Sequence, residues 1–124
     1  MKEAISTTSA PAAIGPYSQA IKTDNLIFCS GQLPIDPATG KMPETIKEQT
    51  AQSLANVKAI LEAEGLTIVN VVKTTFLLAD MSLFAEMNEV YGATFALPFP
   101  ARSAFAVKSL PMGALVEIEV IATR

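Results

Sequence analysis

Only two stretches of this chain carry the three-and-four spacing of an amphipathic helix, while every other apolar run has strand length, and that ratio limits the folds open to it. The first stretch opens at Thr45 with Glu48 three residues on, a capping box in which the hydroxyl accepts an orphan backbone N–H and the carboxylate reaches back to the cap. Ile46, Thr50, Leu54, Val57 and Leu61 then share one face, and Gly65 follows Glu64 as a left-handed stop, so the spacing predicts a helix over 46–64. The second helix is capped by Ser82 or Asp80, buries Phe84, Met87, Val90, Tyr91 and Phe95, and closes before Pro98 and Pro100.

The strands fall around these helices. Residues 18–22 and 26–30 form a hairpin about Thr23-Asp24-Asn25, and Asp36-Pro37-Ala38-Thr39-Gly40 is a turn by composition. A long strand covers 69–78, with Val72, Thr74, Phe76 and Leu78 in alternation and Asp80 ending it; two more cover 102–107 and 115–122. The order is strand, strand, helix, strand, helix, strand, strand: an α+β fold in one domain, 1–124, with no repeat or linker. Two helices cover one face of such a sheet. The other face still carries apolar residues, so a second copy of the chain is expected to cover it.

Composition excludes several functions. Half of the 124 residues are hydrophobic, enough for a core without staples, and a net charge of −3 is the wrong sign for holding a polyphosphate backbone. With no histidine and one cysteine, one copy cannot assemble the usual zinc, copper or non-haem iron ligand sets, and no acidic cluster or phosphate-cradling loop recommends magnesium. We expect no metal and no nucleic-acid partner. Apolar runs stay well under the ~20 residues that cross a bilayer, and the first residues lack the apolar core of a secretory signal, so the cytosol is the expected compartment.

Two residues stand out chemically. Arg102 follows Pro98-Phe99-Pro100-Ala101 and opens a strand; its planar fork suits a two-point grip on a small carboxylate, and an ordinary surface arginine fits the same spacing. Glu117 and Glu119 lie two apart, on the face opposite Val116, Ile118 and Val120, where a carboxylate lining a pocket orients or deprotonates water and one on a solvated face does neither. The turns Gly15-Pro16-Tyr17-Ser18 and Ser30-Gly31-Gln32 allow close approach of a ligand, and Tyr17 fits a pocket or an oligomer interface. Cys29, inside an apolar strand with no adjacent cation, reads as an inert core thiol.

Together these residues resemble the RidA family, also called YjgF. The resemblance rests on Ala12-Ala13-Ile14-Gly15-Pro16-Tyr17-Ser18-Gln19-Ala20, Ser30-Gly31-Gln32-Leu33-Pro34, Pro100-Ala101-Arg102-Ser103, the helix segment from Gln52 to Leu61, Asn88 with Tyr91, and Glu117-Ile118-Glu119, and it runs end to end. It implies a chorismate-mutase-like fold assembled as a homotrimer with clefts between subunits, and cofactor-free hydrolysis of 2-aminoacrylate, 2-iminopropanoate and 2-iminobutanoate to 2-oxo acids and ammonia. By position, Arg102 matches the arginine that holds the substrate carboxylate and Glu117 the glutamate that positions water. Tyr17, Ser30, Gly31 and Asn88 match cleft residues, and the backbone at Ala104 matches a contact to the bound acid. Many bacterial relatives carry cysteine at that last position; with Ala104 here, deamination is expected to persist and thiol regulation to be lost. The alternative is a regulatory trimer that binds a 2-oxo acid or amino acid without turnover. Chaperone-like and ribonuclease-like activities, attributed to relatives, have no visible basis in an acidic chain without histidine.

Overall fold

A computed structural model describes all 124 residues. Six strands, β1 (Lys2–Ile5), β2 (Ala20–Thr23), β3 (Leu26–Cys29), β4 (Val71–Leu78), β5 (Ala101–Ala106) and β6 (Val116–Thr123), form one sheet in the order β1-β2-β3-β6-β4-β5. Every pairing is antiparallel except β4 with β5, which the crossover helix α2 (Phe84–Thr94) joins in parallel. Helix α1 (Ile46–Glu62) packs against β6 and α2, so both helices lie on one side. No helix is long and apolar enough to cross a membrane.

The capping box forms as expected: Thr45 Oγ1 accepts from Glu48 N at 3.1 Å, and Glu48 Oε1 accepts from Thr45 N at 3.3 Å. Gly65 takes φ +72°, the left-handed conformation its position after α1 suggested. The face of α1 turned to the sheet buries Ile46, Leu54, Val57, Ile60 and Leu61, and also Gln49, Ser53 and Asn56. These polar residues bind loops. Asn56 Nδ2 donates to the carbonyls of Leu33 and Ile35 at 3.0 and 2.9 Å, while Gln49 joins Pro43 O to Leu115 N. Gln19, 4% exposed, likewise ties down the first loop through Thr7, Ala10 and Pro11.

The structure corrects several boundaries. Strand β1 was not anticipated: its Lys2 and Glu3 are exposed on an edge strand, where no apolar alternation marks it. The β2 strand begins at Ala20 rather than 18, because Gln19 turns its amide into the loop and Ser18 O accepts from Ser30 Oγ. Thr67 and Asn70 cap a 3₁₀ turn over Ile68–Asn70, which delays β4 to Val71. A register shift between Val71 and Lys73 then reverses the side-chain phase, so that Val71 and Thr74 are both buried and Val72 is exposed. Asp80, not Ser82, is the capping side chain, and it caps a 3₁₀ turn over Met81–Leu83 that leads into α2.

Alternation divides the sheet into two faces. Cys29, Thr74, Phe76, Leu78, Val116, Ile118 and Val120 are buried on the helical side. The opposite face presents Phe28 and Phe105, 42% and 48% exposed, among Lys73, Thr75, Glu117, Glu119 and Ile121, and nothing in the chain covers it.

The buried amides and hydroxyls of α1 make opposite predictions. Asn56→Ala leaves two loop carbonyls without their donor and is expected to cost about 2–3 kcal/mol. Ser53 Oγ is buried without a partner, so Ser53→Ala is expected to be neutral or to stabilise by up to about 1 kcal/mol. Urea unfolding at fixed protein concentration measures both, and a larger loss from Ser53→Ala than from Asn56→Ala contradicts this assignment.

Candidate functional site

Strand β5 lies at the edge of the sheet, and its register places Arg102 beside Thr74, on the helical side. There the guanidinium meets α2. Nη1 donates to Asn88 Oδ1 at 2.5 Å, and Cζ lies 4.7 Å from the Tyr91 ring centroid and 5.4 Å from that of Phe84. Arg102, Asn88, Tyr91, Gly92, Phe99 and Pro100 line an open cleft of about 420 Å³. A cation resting on aromatic faces with one N–H on an amide keeps its charge and other donors available, as carboxylate recognition requires.

Glu117 lies on the open face. Its carboxyl group covers Gly31, where an added Cβ would overlap Oε2 and lie 2.9 Å from Cδ. A side chain at Gly31 would therefore displace the Glu117 carboxyl, and backbone bonds hold the two segments at this spacing: Gln32 N donates to Ile118 O at 2.7 Å and Ile118 N to Gln32 O at 3.2 Å. Burial first, and the charge of Glu119 second, raise the Glu117 carboxyl above its ordinary pKa. A half-buried carboxylate with raised basicity can accept a proton from water.

Tyr17 and Gly31 line a second cavity of about 590 Å³, walled by the segment from Ser6 to Ile14, by Leu33 and Ile35, and by Met112. The Tyr17 side lies open, the residue being 52% exposed. Ser30 is pinned instead: its hydroxyl donates to Ser18 O at 2.6 Å and its N–H to Gln19 O at 2.9 Å. Cys29 is buried, and burial pushes its thiol up to about 12, so little nucleophilic thiolate forms near neutrality. Ala104 projects to the helical side, partly buried against the core.

The expected residues thus form two groups. Tyr17, Ser30, Gly31 and Glu117 gather around the loops on either side of the β2–β3 hairpin, while Arg102 and Asn88 meet at the edge of β5 against α2. Within one chain Arg102 and Glu117 lie on opposite faces. They are two strands apart and offset by three residues along β4, a Cα separation of about 14 Å from strand geometry. Phe84 and Tyr91 belong to the arginine's surroundings, a role the sequence reading missed because it placed both in the buried stripe. Their signal was the spacing 84, 88, 91, which sets both rings on the same helix face as Asn88.

A family model described as Endoribonuclease L-PSP matches residues 7–124. The RutC family protein y4sK of Sinorhizobium fredii is 53% identical over 122 residues, covering 98% of this chain and 97% of its own. The 2-iminobutanoate/2-iminopropanoate deaminase of Mus musculus is 50% identical over 125 residues, covering 100% of this chain and 93% of its own. The crystal structure of the YjgF gene product from E. coli superposes with a TM-score of 0.94 at 47% identity, covering 98% of each chain. Matched along its length in both sequence and fold, the chain belongs to the RidA, or YjgF, family that the description Endoribonuclease L-PSP covers.

Proposed function

We propose that this protein hydrolyses small 2-imino acids and their enamine tautomers to 2-oxo acids and ammonia, in clefts between the subunits of a homotrimer. The observation that carries the reading is the pairing of a fixed, available guanidinium at Arg102 with a half-buried carboxyl of raised basicity at Glu117. The mouse deaminase, half identical over this whole chain, supports the substrate class. Because one chain sets the two groups on opposite faces, a site holding both takes them from two copies. The open sheet face with Phe28 and Phe105 supplies a surface for that assembly.

The chemistry then divides simply. Arg102 grips the substrate carboxylate, which places the electrophilic imine carbon in a fixed position. Glu117 accepts a proton as water adds to that carbon, giving a tetrahedral carbinolamine. The same carboxyl returns that proton to nitrogen and then takes the hydroxyl proton as the C–N bond breaks, so that ammonia leaves, the carbonyl of the 2-oxo acid forms, and the departing ammonia carries the last proton away as ammonium. Water supplies the oxygen, and no electrons are transferred to or from the substrate. The backbone of the β5 edge at Ala104 and the turn at Gly31 line the bound acid, with Tyr17 and Ser30 near it and Asn88 holding Arg102. RNA cleavage ranks lower, because the chain is acidic and has no histidine for acid-base work.

The test generates 2-iminobutanoate with a threonine dehydratase, traps it with semicarbazide, and adds protein. Wild type is expected to suppress trapping; Arg102→Ala and Glu117→Gln are expected to lose about a hundredfold or more of that activity. Absence of suppression by folded wild type rejects the deaminase reading. Glu117→Gln that binds 2-oxobutanoate normally yet fails to turn over separates an enzyme from a regulatory binding trimer.

Shared sites predict complementation. Co-refolding equal amounts of Arg102→Ala and Glu117→Gln chains in random trimers is expected to restore about one site in four, since each site needs one intact residue from each neighbour. Recovery no greater than that of the separately refolded variants contradicts the intersubunit site, as does a monomeric mass of wild type by light scattering.

The acid limb of activity has a defined sign. Glu117 works as the carboxylate, so kcat/KM falls as pH drops through its raised pKa. Removing the neighbouring charge in Glu119→Gln lowers that pKa and is expected to move the acid limb to lower pH. A pH–rate profile of both proteins checks this, and a limb that stays in place or moves upward rejects the coupling.

A further inference from the structure

The geometry points to Tyr91 as a positioning residue that sets the direction of the Arg102 guanidinium; the inference rests on the carboxylate-binding role given to Arg102 above. An arginine on an edge strand is exposed, and its long side chain samples many rotamers unless neighbours hold it. Three residues of α2 converge on this one. Phe84 and Tyr91 present ring faces 5.4 and 4.7 Å from Cζ, and Asn88 accepts from Nη1.

Of the three, Tyr91 is the most firmly held. It is 5% exposed, its ring packs edge-on against Phe76 at 5.1 Å and tilted against Phe95 at 4.6 Å, and its hydroxyl lies 3.2 Å from Oγ1 of the fully buried Thr74. Thr74 is the register partner of Arg102 across β4 and β5. The ring is thus tied to the strand beside the one that carries the guanidinium. Asn88 and Phe84 sit on the same helix but are more exposed.

What the ring does follows from how it binds. Stacking engages the face of a guanidinium and leaves its in-plane N–H edge free, whereas a hydrogen-bonding partner consumes donors. With one donor on Asn88 and Cζ over the Tyr91 ring, Arg102 keeps its remaining N–H groups for the planar, two-point grip of a carboxylate. Tyr91 touches no reacting atom in this scheme. It fixes an orientation that the substrate's carboxylate would otherwise have to impose, so its loss weakens binding more than it slows the chemical step.

The experiment compares Tyr91→Leu, Tyr91→Phe and Phe84→Leu for two readouts: KM and kcat with 2-iminobutanoate, and the Kd of 2-oxobutanoate, which needs no turnover. Tyr91→Leu is expected to raise KM and Kd about tenfold with kcat within about twofold, and Tyr91→Phe, which keeps the ring, to restore most of that loss. Phe84→Leu, at a half-buried site, is expected to raise both by about threefold and tests the aromatic platform if Tyr91→Leu fails to fold. In an Arg102→Ala background Tyr91→Leu is expected to have no further effect on Kd. The proposal is overturned by folded Tyr91→Leu with wild-type Kd, by an equal loss in the Arg102→Ala background, or by unchanged Kd in Phe84→Leu where Tyr91→Leu does not fold. It is overturned also by a wild type that does not bind 2-oxobutanoate. A wild type that binds the oxo acid but does not clear imine rejects the deaminase reading alone, and the Kd series still decides the role of Tyr91.

Discussion

Strand β6 lies between β3 and β4, and its two-residue alternation organises the molecule. Val116, Ile118, Val120 and Ala122 face the helices with at most 2% exposure, each of the larger ones contributing about 1.5–3 kcal/mol by leaving water. That anchoring forces Glu117 and Glu119 to the other side. A slip of one residue would bury two carboxylates and expose the core, so the register is strongly specified. The placement of the Glu117 carboxyl would be arbitrary in an open loop; here it follows from the packing of its neighbours. The same alternation, carried across β4 to β5, sends Arg102 to the helical side. Separation of the two charged groups is therefore built into the sheet, and a second copy is the direct way to bring them together.

Loops that frame the sites are held by amide side chains rather than by backbone ladders. Gln19 fixes the segment that leads to Tyr17, and Asn56 fixes the carbonyls of Leu33 and Ile35 just after Gly31. Gln49 joins Pro43 to Leu115, at the entrance of β6. Each amide offers donors and an acceptor in one plane, so one buried residue satisfies several backbone groups that would otherwise be desolvated without partners. At the far end, Glu64 binds Lys22 and Arg124, each at 2.8 Å, and ties the turn after α1 to β2 and the last residue. The Lys22 hydrogen bond is the leading reason that the Glu64 carboxyl lies below its ordinary pKa.

Most of this architecture was legible because it depends on local rules. Thr45 and Glu48 marked the start of α1, Gly65 its stop, and the alternation in β6 its two faces. Features that escaped depend on contacts between distant residues. Val72 falls in the alternation with Thr74, Phe76 and Leu78, and the bulge beside it changes the phase, while Lys2 to Ile5 have no apolar pattern because β1 sits at an edge. Gln49 and Asn56 carry no local signal of their role, since only the path of the loops shows what they bind. Arg102 and Glu117 were legible as chemistry and not as geometry: period-two arithmetic placed Glu117 within β6, and no such rule relates it to a residue two strands away.

The residues suggest why so small a set suffices. A protonated imine is already electrophilic, so the protein need not polarise it strongly; it must hold the acid end and manage one proton. In the proposed site Arg102 does the first, through the planar guanidinium that rests on Tyr91 and Asn88. In the same proposal Glu117 does the second, since partial burial makes it a better base than a solvated carboxylate while its exposure on one side still admits water. These needs set a distance between the groups, since a guanidinium in contact with the base would stabilise the carboxylate and reduce its basicity. In the proposed intersubunit cleft the substrate stands between the two groups, with its carboxylate on one and its reacting carbon toward the other.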